Sequence, residues 1–238
     1  MTNFPVGMIT LLIVSILIYF GVAHRVLDRM RLTDRGALAV VALIMVGSFI
    51  DLPVTGRITV NLGGIIPVIL AFYVLARAGT SKEWVRGIAA AVVTALVLFL
   101  TSKIMGAEPE SMFVDPLYVY PLVAGVVGYL AGRSRRGAFF AAVVGVMALD
   151  IGQYFWLVRV GGPGIVHIGG AGAFDALVLS GILAVLLAEV IGEIRERLQG
   201  GPRSRGRSEA LVENLKEPHP DPARKPLLGE QGDEQRHE

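Results

Sequence analysis

Solid blocks of apolar residues alternate with short polar turns along this chain, and the blocks are too long and too uniform to be strands. They run over about 7–23, 36–53, 63–78, 87–102, 116–132, 137–157 and 172–194. A helix needs about 20 mostly apolar residues to cross a hydrocarbon core of roughly 30 Å. Lipid gives the backbone no hydrogen-bond partners, so helices that satisfy their own amides are the expected spanning elements. A transmembrane barrel would show short alternating segments instead. The pattern predicts an all-α fold: a polytopic membrane helical bundle of about seven transmembrane helices.

The polar turns add an orientation. Arg25, Arg29, Arg31 and Arg35 follow the first block; Arg77, Lys82 and Arg86 the third; Arg133, Arg135 and Arg136 the fifth. Arg195, Arg197, Arg203, Arg205 and Arg207 follow the seventh, whereas the alternate turns hold only Arg57, Lys103 and Arg159 near the blocks. Basic turns stay on the cytoplasmic side. The expected placement is the cell membrane, with the N-terminus outside and the C-terminus in the cytoplasm. No Lys or Arg precedes the first block, so it reads as an uncleaved helix and not as a signal peptide.

Composition agrees. Of 238 residues 53% are hydrophobic and 18% charged, and the mean hydropathy is +0.62; a soluble domain carries roughly 25% charged residues. The absence of cysteine excludes a disulfide framework, thiolate metal sites and a cysteine nucleophile. A net charge of +2 does not imply nucleic acid here, because the basic residues belong to the turns. The bilayer is the expected partner, together with a small solute or cation. No metal or cofactor is expected. A retinal protein is excluded, since the last block has no lysine for a Schiff base. From about Gly200 the composition changes to mixed charges with Pro218, Pro220, Pro222 and Pro226. The chain therefore divides into a transmembrane domain, 1–199, and a disordered cytoplasmic tail, 200–238.

Small residues recur every four positions at Ala124, Gly128 and Gly132, and again at Gly172, Ala176, Ser180, Ala184 and Ala188. Seams of this kind let helix backbones approach closely. Two longer segments, about 35–78 and 136–194, also look alike. Arg35-Gly36-Ala37 opens a run ending at Asp51, with Asn61-Leu62-Gly63-Gly64 beyond it. Arg136-Gly137-Ala138 opens a run ending at Asp150, with His167-Ile168-Gly169-Gly170 beyond it. Four blocks separate the two, so they point the same way, as in parallel transporter repeats whose site lies between the copies. Evenly spaced helices with basic turns produce part of this period without duplication.

Asp51 and Asp150 are expected at the outer ends of the second and sixth helices, and Asp175 one turn inside the seventh. A carboxylate within the apolar slab costs several kcal/mol and faces a partner or a water-filled cavity. Gly169, Gly170 and Gly172 before Asp175 predict a sharp or re-entrant backbone whose amides face a ligand. His167, Asn61 and Gln153 add polar groups. The plainer accounts are interfacial carboxylates in water, an exposed loop histidine, and an Asp175 that only caps its helix. Glu189 and Glu193 read as interfacial charges at the inner end.

The run Gly169-Gly170-Ala171-Gly172-Ala173-Phe174-Asp175, with Asn61-Leu62-Gly63-Gly64 upstream, resembles an uncharacterised prokaryotic membrane family, domain of unknown function 1614, over about 35–197. That resemblance brings no activity with it. Leu149-Asp150 and the Gly170 to Asp175 run also resemble the Tyr-Asp and Gly-x-Gly-Asp of presenilin-type intramembrane aspartyl proteases. This second likeness implies a carboxylate pair, Asp150 and Asp175, sharing a proton to activate water. Leu149 stands where that family has tyrosine, two residues intrude before Asp175, and no Pro-Ala-Leu follows. The expectations are thus a solute- or ion-binding transporter-like protein, an aspartyl protease, or a non-catalytic scaffold.

Overall fold

The computed structural model describes residues 6–78, 80–105, 116–161, 164–170 and 176–198. Gly172, Asp175 and the expected tail from 200 onward lie outside these. The chain divides into a unit of residues 1–194 and a second of 195–238, of which only the end of the last helix is described.

Each of the seven apolar blocks is helical. They are α1 (Val6–Tyr19), α3 (Asp34–Gly47), α4 (Leu62–Ala78), α5 (Ser81–Met105), α6 (Pro116–Gly132), α7 (Arg135–Val160) and α8 (Ala176–Leu198). An eighth helix, α2 (His24–Met30), is a short polar one folded from the first basic turn. By length and composition, three of the helices, α5, α7 and α8, are long and apolar enough to cross a membrane. Helices α1, α4 and α6 are apolar but shorter.

Helices α3 and α7 begin where hydroxyl caps precede them. Thr33 accepts a hydrogen bond from the Gly36 amide at 3.1 Å and Ser134 from the Gly137 amide at 3.0 Å. A side-chain oxygen at this position satisfies one of the amides that the first turn leaves open. The likeness of Arg35-Gly36 and Arg136-Gly137 is therefore, locally, a shared capping pattern. Helix α3 stops at Gly47, earlier than the apolar run predicts, because residues 51–61 fold as a hairpin.

That hairpin is an addition to the all-helical expectation. Strands β1 (Asp51–Thr55) and β2 (Ile58–Asn61) pair antiparallel, and β3 (Val166–Ile168) joins β2 in parallel. The register sets Ile58 beside Val166, Thr59 beside His167 and Val60 beside Ile168. The sheet so ties the α3–α4 connection to the α7–α8 connection. Both strands lead into helices that run back through the bundle, which is why they pair in parallel.

Helix α7 is the centre of the bundle. Between Gly137 and Leu149 nearly every residue is buried, while Ile151–Gln153 and most of the turns after them are exposed. A helix that is apolar on all sides belongs in an interior. It packs against α4, α5 and α6, and Phe140 stands edge-on to Phe72 at 5.0 Å between ring centres. The small-residue seams meet here. Gly128 faces the backbone of Ala138 and Ala142, and Ala184 and Ala188 of α8 pack on the same two alanines. At the opposite end from the sheet, Glu83 accepts from Ser134 Oγ at 2.8 Å and pairs with Arg136 at 3.3 Å. Arg135 pairs there with Glu189, and Arg25 lies 3.7 Å from Glu193. The outward faces remain apolar, as with Leu96, Leu130 and Ile69. Such a continuous apolar exterior suits hydrocarbon and not water.

A Cβ at Gly132 would sit 2.5 Å from the backbone of Gly137 and Ala138, whereas one at Gly152 meets open space. Gly132→Ala is expected to destabilise the protein by about 1–3 kcal/mol, the usual scale of overpacking. Gly152→Ala should be neutral or slightly stabilising. Thermal unfolding of the two variants in detergent checks this pair.

Candidate functional site

Two connections, α3–α4 and α7–α8, converge at the sheet, and the polar groups of the site come from them and from α7. Asn61 ends β2 and is almost wholly buried at 1% exposure. Its Oδ1 accepts from the Gly64 amide at 3.2 Å, so it caps α4. Its Nδ2 donates to the Ser48 carbonyl at 3.0 Å and to Asp51 Oδ1 at 2.9 Å. Both amide hydrogens and the carbonyl oxygen of this side chain are thereby used in holding α3, β1 and α4 together.

Asp51 is not at the end of a helix, as the sequence pattern leads one to expect. It opens β1, is exposed, and faces Asn61 across the hairpin. Asp150 departs from expectation in the opposite sense. Helix α7 continues for ten residues beyond it, to Val160, so Asp150 stands about 15 Å from the helix end. The reason is local: after Asp150 the sequence offers no glycine pair or proline until Gly161, which caps the helix in the left-handed conformation.

The α7–α8 connection then returns along the helix. Gly169 donates its amide to Asp150 Oδ2 at 3.2 Å, and Gly170 donates to the His167 carbonyl at 3.3 Å. Gly169 has φ +77° and Gly170 φ +53°, a region that side chains rarely adopt. The backbone of Gly169 lies directly on Gly64, where a Cβ would overlap the Gly169 carbonyl. Gly63 is equally confined by Ser48 and the Ile44 carbonyl. The two glycine pairs read from the sequence therefore adjoin one another through this contact, and the Gly169 amide turns toward Asp150. One turn into α4, Pro67 lacks the N–H that would close the helical bond to the Gly63 carbonyl.

Asp150, Gly169, Gly64, Asn61 and Asp51 thus form one contiguous group. His167 belongs to β3, is exposed, and sits two residues from it. Gln153 is exposed on α7. Gly172 and Asp175 lie outside the described residues, although Asp175 immediately precedes Ala176, the first residue of α8. Among the described residues no group of three or more His, Asp or Glu side chains is arranged to hold a metal ion. Two contributors escape the sequence reading: Ser48, whose carbonyl receives Asn61, and the hairpin itself. The signal for the hairpin is present in Val54-Thr55-Gly56-Arg57-Ile58-Thr59-Val60, β-branched residues on either side of a glycine.

One sequence family matches across this group, over residues 20–187. The chain belongs to the DUF1614 family, proteins of unknown function. The match runs from the end of α1 into α8 and so includes every residue of the site. Neither a curated protein nor a solved structure matches this DUF1614 member.

Asn61→Leu removes three hydrogen bonds and leaves the Ser48 carbonyl and Gly64 amide buried without that partner. A loss of about 1–3 kcal/mol for each such group is the expected scale. Gly64→Ala should destabilise to a similar degree, and Gly56→Ala, at an open position, should not. Urea or thermal unfolding of the three variants distinguishes them.

Proposed function

We propose that this DUF1614 member is a multi-pass membrane protein that binds, and moves, a small polar solute or cation at Asp150 and the glycine pairs beside it. The observation that carries the reading is the return of the α7–α8 connection onto Asp150, ten residues inside α7. Irregular backbone at membrane depth persists only where protein buries it or where it lines a cavity. Discontinuous elements of this kind, with free backbone amides and carbonyls, are how transporters build midplane sites. The Gly169 amide positions the Asp150 carboxylate, and Pro67 releases a carbonyl at Gly63.

Seven blocks then cross the cell membrane with the N-terminus outside, and the sheet lies toward the outer leaflet. The segments 35–78 and 136–194 act as parallel units, a view supported by the parallel pairing of β2 with β3. Asp175, next to the first residue of α8, is the second carboxylate of the site. Asp51 and Asn61, engaged with each other and with the backbone, hold the framework in place and do not contact the solute.

The test is a thermal-stability screen of the purified protein against cations, small anions and pH. A ligand that binds only the folded state stabilises it by about 2.7 kcal/mol at a hundred times its dissociation constant. A stabilising ligand should be found for the wild type and lose its effect in Asp150→Asn and Asp175→Asn, while Asp51→Asn retains it. Uptake of that ligand into proteoliposomes then follows the same order. Equal stabilisation of wild type and Asp150→Asn would refute the site. Cleavage of a membrane-embedded peptide, lost in either variant, would favour the aspartyl-protease chemistry instead.

A further inference from the structure

Between α3 and α4, away from the sheet, runs a groove of about 550 Å³ whose two ends differ in chemistry. Along most of its length it is apolar, lined by Val40, Leu43, Ile66, Ile69 and Leu70. Leu43 and Ile69 are more than half exposed, at 57% and 62%, so the lining is open to the surroundings of the bundle. At the end where α3 begins and α4 finishes, the lining changes to Arg31, Arg77 and Thr33. Neither arginine makes a salt bridge to a described residue, unlike Arg25, Arg135 and Arg136, which pair with Glu193, Glu189 and Glu83. Among the described residues no acidic side chain lines the groove. Arg77 lies over the Tyr73 ring at 5.7 Å, which directs it toward the groove.

We infer that this groove binds an anionic phospholipid, with the phosphate held by Arg31 and Arg77 and an acyl chain lying along Leu43, Ile66 and Ile69. The occupant follows from the pairing of the two halves. Two guanidiniums without carboxylate partners select an anionic oxygen group, which they bind in the planar, forked manner suited to phosphate. An apolar channel continuous with that group selects a molecule carrying a hydrocarbon tail. Basic pockets between membrane helices on the cytoplasmic side are where anionic headgroups dock, and the groove opens among the basic turns. Thr33 adds a hydroxyl beside the same end. The inference rests on the helices lying in a bilayer and is independent of the site at Asp150.

The experiment uses the full chain in detergent, titrated with phosphatidylglycerol and with phosphatidylcholine of the same acyl chains, and bound lipid is counted by native mass spectrometry. The wild type should prefer phosphatidylglycerol by about tenfold or more, since each arginine near a phosphate surface contributes on the order of 1 kcal/mol. That preference should vanish in Arg31→Gln/Arg77→Gln and persist in Arg31→Lys/Arg77→Lys. Arg133→Gln is the control: Arg133 shares the left-handed φ of +57° with Arg31 and lies in a basic turn, but it does not line the groove. Leu43→Asn should weaken both lipids without altering the preference. An unchanged preference in the double glutamine variant would overturn the proposal. So would an equal loss in Arg133→Gln, which would assign the effect to diffuse surface charge, or full competition by inorganic phosphate, which would remove any role for the tail. If the double variant does not purify folded, each single glutamine variant should show a partial loss, and none in either would count against the site. Asp150→Asn should bind both lipids as the wild type does.

Discussion

The close contact of Gly64 with Gly169 is the constraint on which the rest of the architecture at the sheet end depends. No side chain can be inserted between the two backbones, so the α4 start and the α7–α8 connection are held at a separation that only glycine permits. Once they are in contact, β3 can reach β2, the Gly169 amide can reach Asp150, and Asn61 is sealed from solvent. Each of these would be lost together if the connection moved outward. The hydrogen bonds of Asn61 fix the other side of the contact by holding Ser48, Asp51 and Gly64 as one unit. Geometry set by backbone and sealed by a buried amide is rigid, and it gives the carboxylate at Asp150 a fixed set of neighbours.

The helices were legible in the sequence because apolar runs and basic turns are direct consequences of the bilayer as solvent. Every block became a helix, and even the seams at Gly128, Ala184 and Ala188 fall at contacts. What the pattern could not give is where an apolar run stops being helical. The apolar run continues past Gly47 to Phe49, Ile50 and Leu52, and the β-branched residues around Gly56 are the local sign that a hairpin follows. The reverse holds in α7, where Asp150 looks like a terminus yet the helix passes through it. A charged residue marks a polar place, and a polar place can lie beside a helix as well as at its end. The return of the loop onto Asp150 depends on a contact between positions more than 100 residues apart, Gly64 and Gly169, which no local pattern encodes.

The segments 35–78 and 136–194 share local features and hold their carboxylates differently. Both begin with a hydroxyl cap and an Arg-Gly turn, and both return through a glycine pair. The first has turned its carboxylate outward to Asn61 in a short hairpin; the second keeps its carboxylate within the helix and brings the loop to it. The first segment thus holds its carboxylate against a buried amide, and the second holds its carboxylate against a returning backbone.

The ends of the bundle are likewise unequal. At the sheet end polar contacts are mostly backbone and amide, with Lys103 lying over Trp156 at 4.3 Å as an anchor of interfacial character. At the opposite end they are ionic, with Glu83, Glu189 and Glu193 each matched to an arginine of a neighbouring segment. These pairs join α5 to α7, α7 to α8 and α2 to α8, and so brace the helices that flank α7. Arg31 and Arg77 lie on the α3–α4 side, where no acidic side chain among the described residues lines the groove. Two arginines that share one end of an apolar groove, neither paired with a described carboxylate, point to something outside the chain. At the end of an open apolar groove, that something must carry both a negative charge and a hydrocarbon tail.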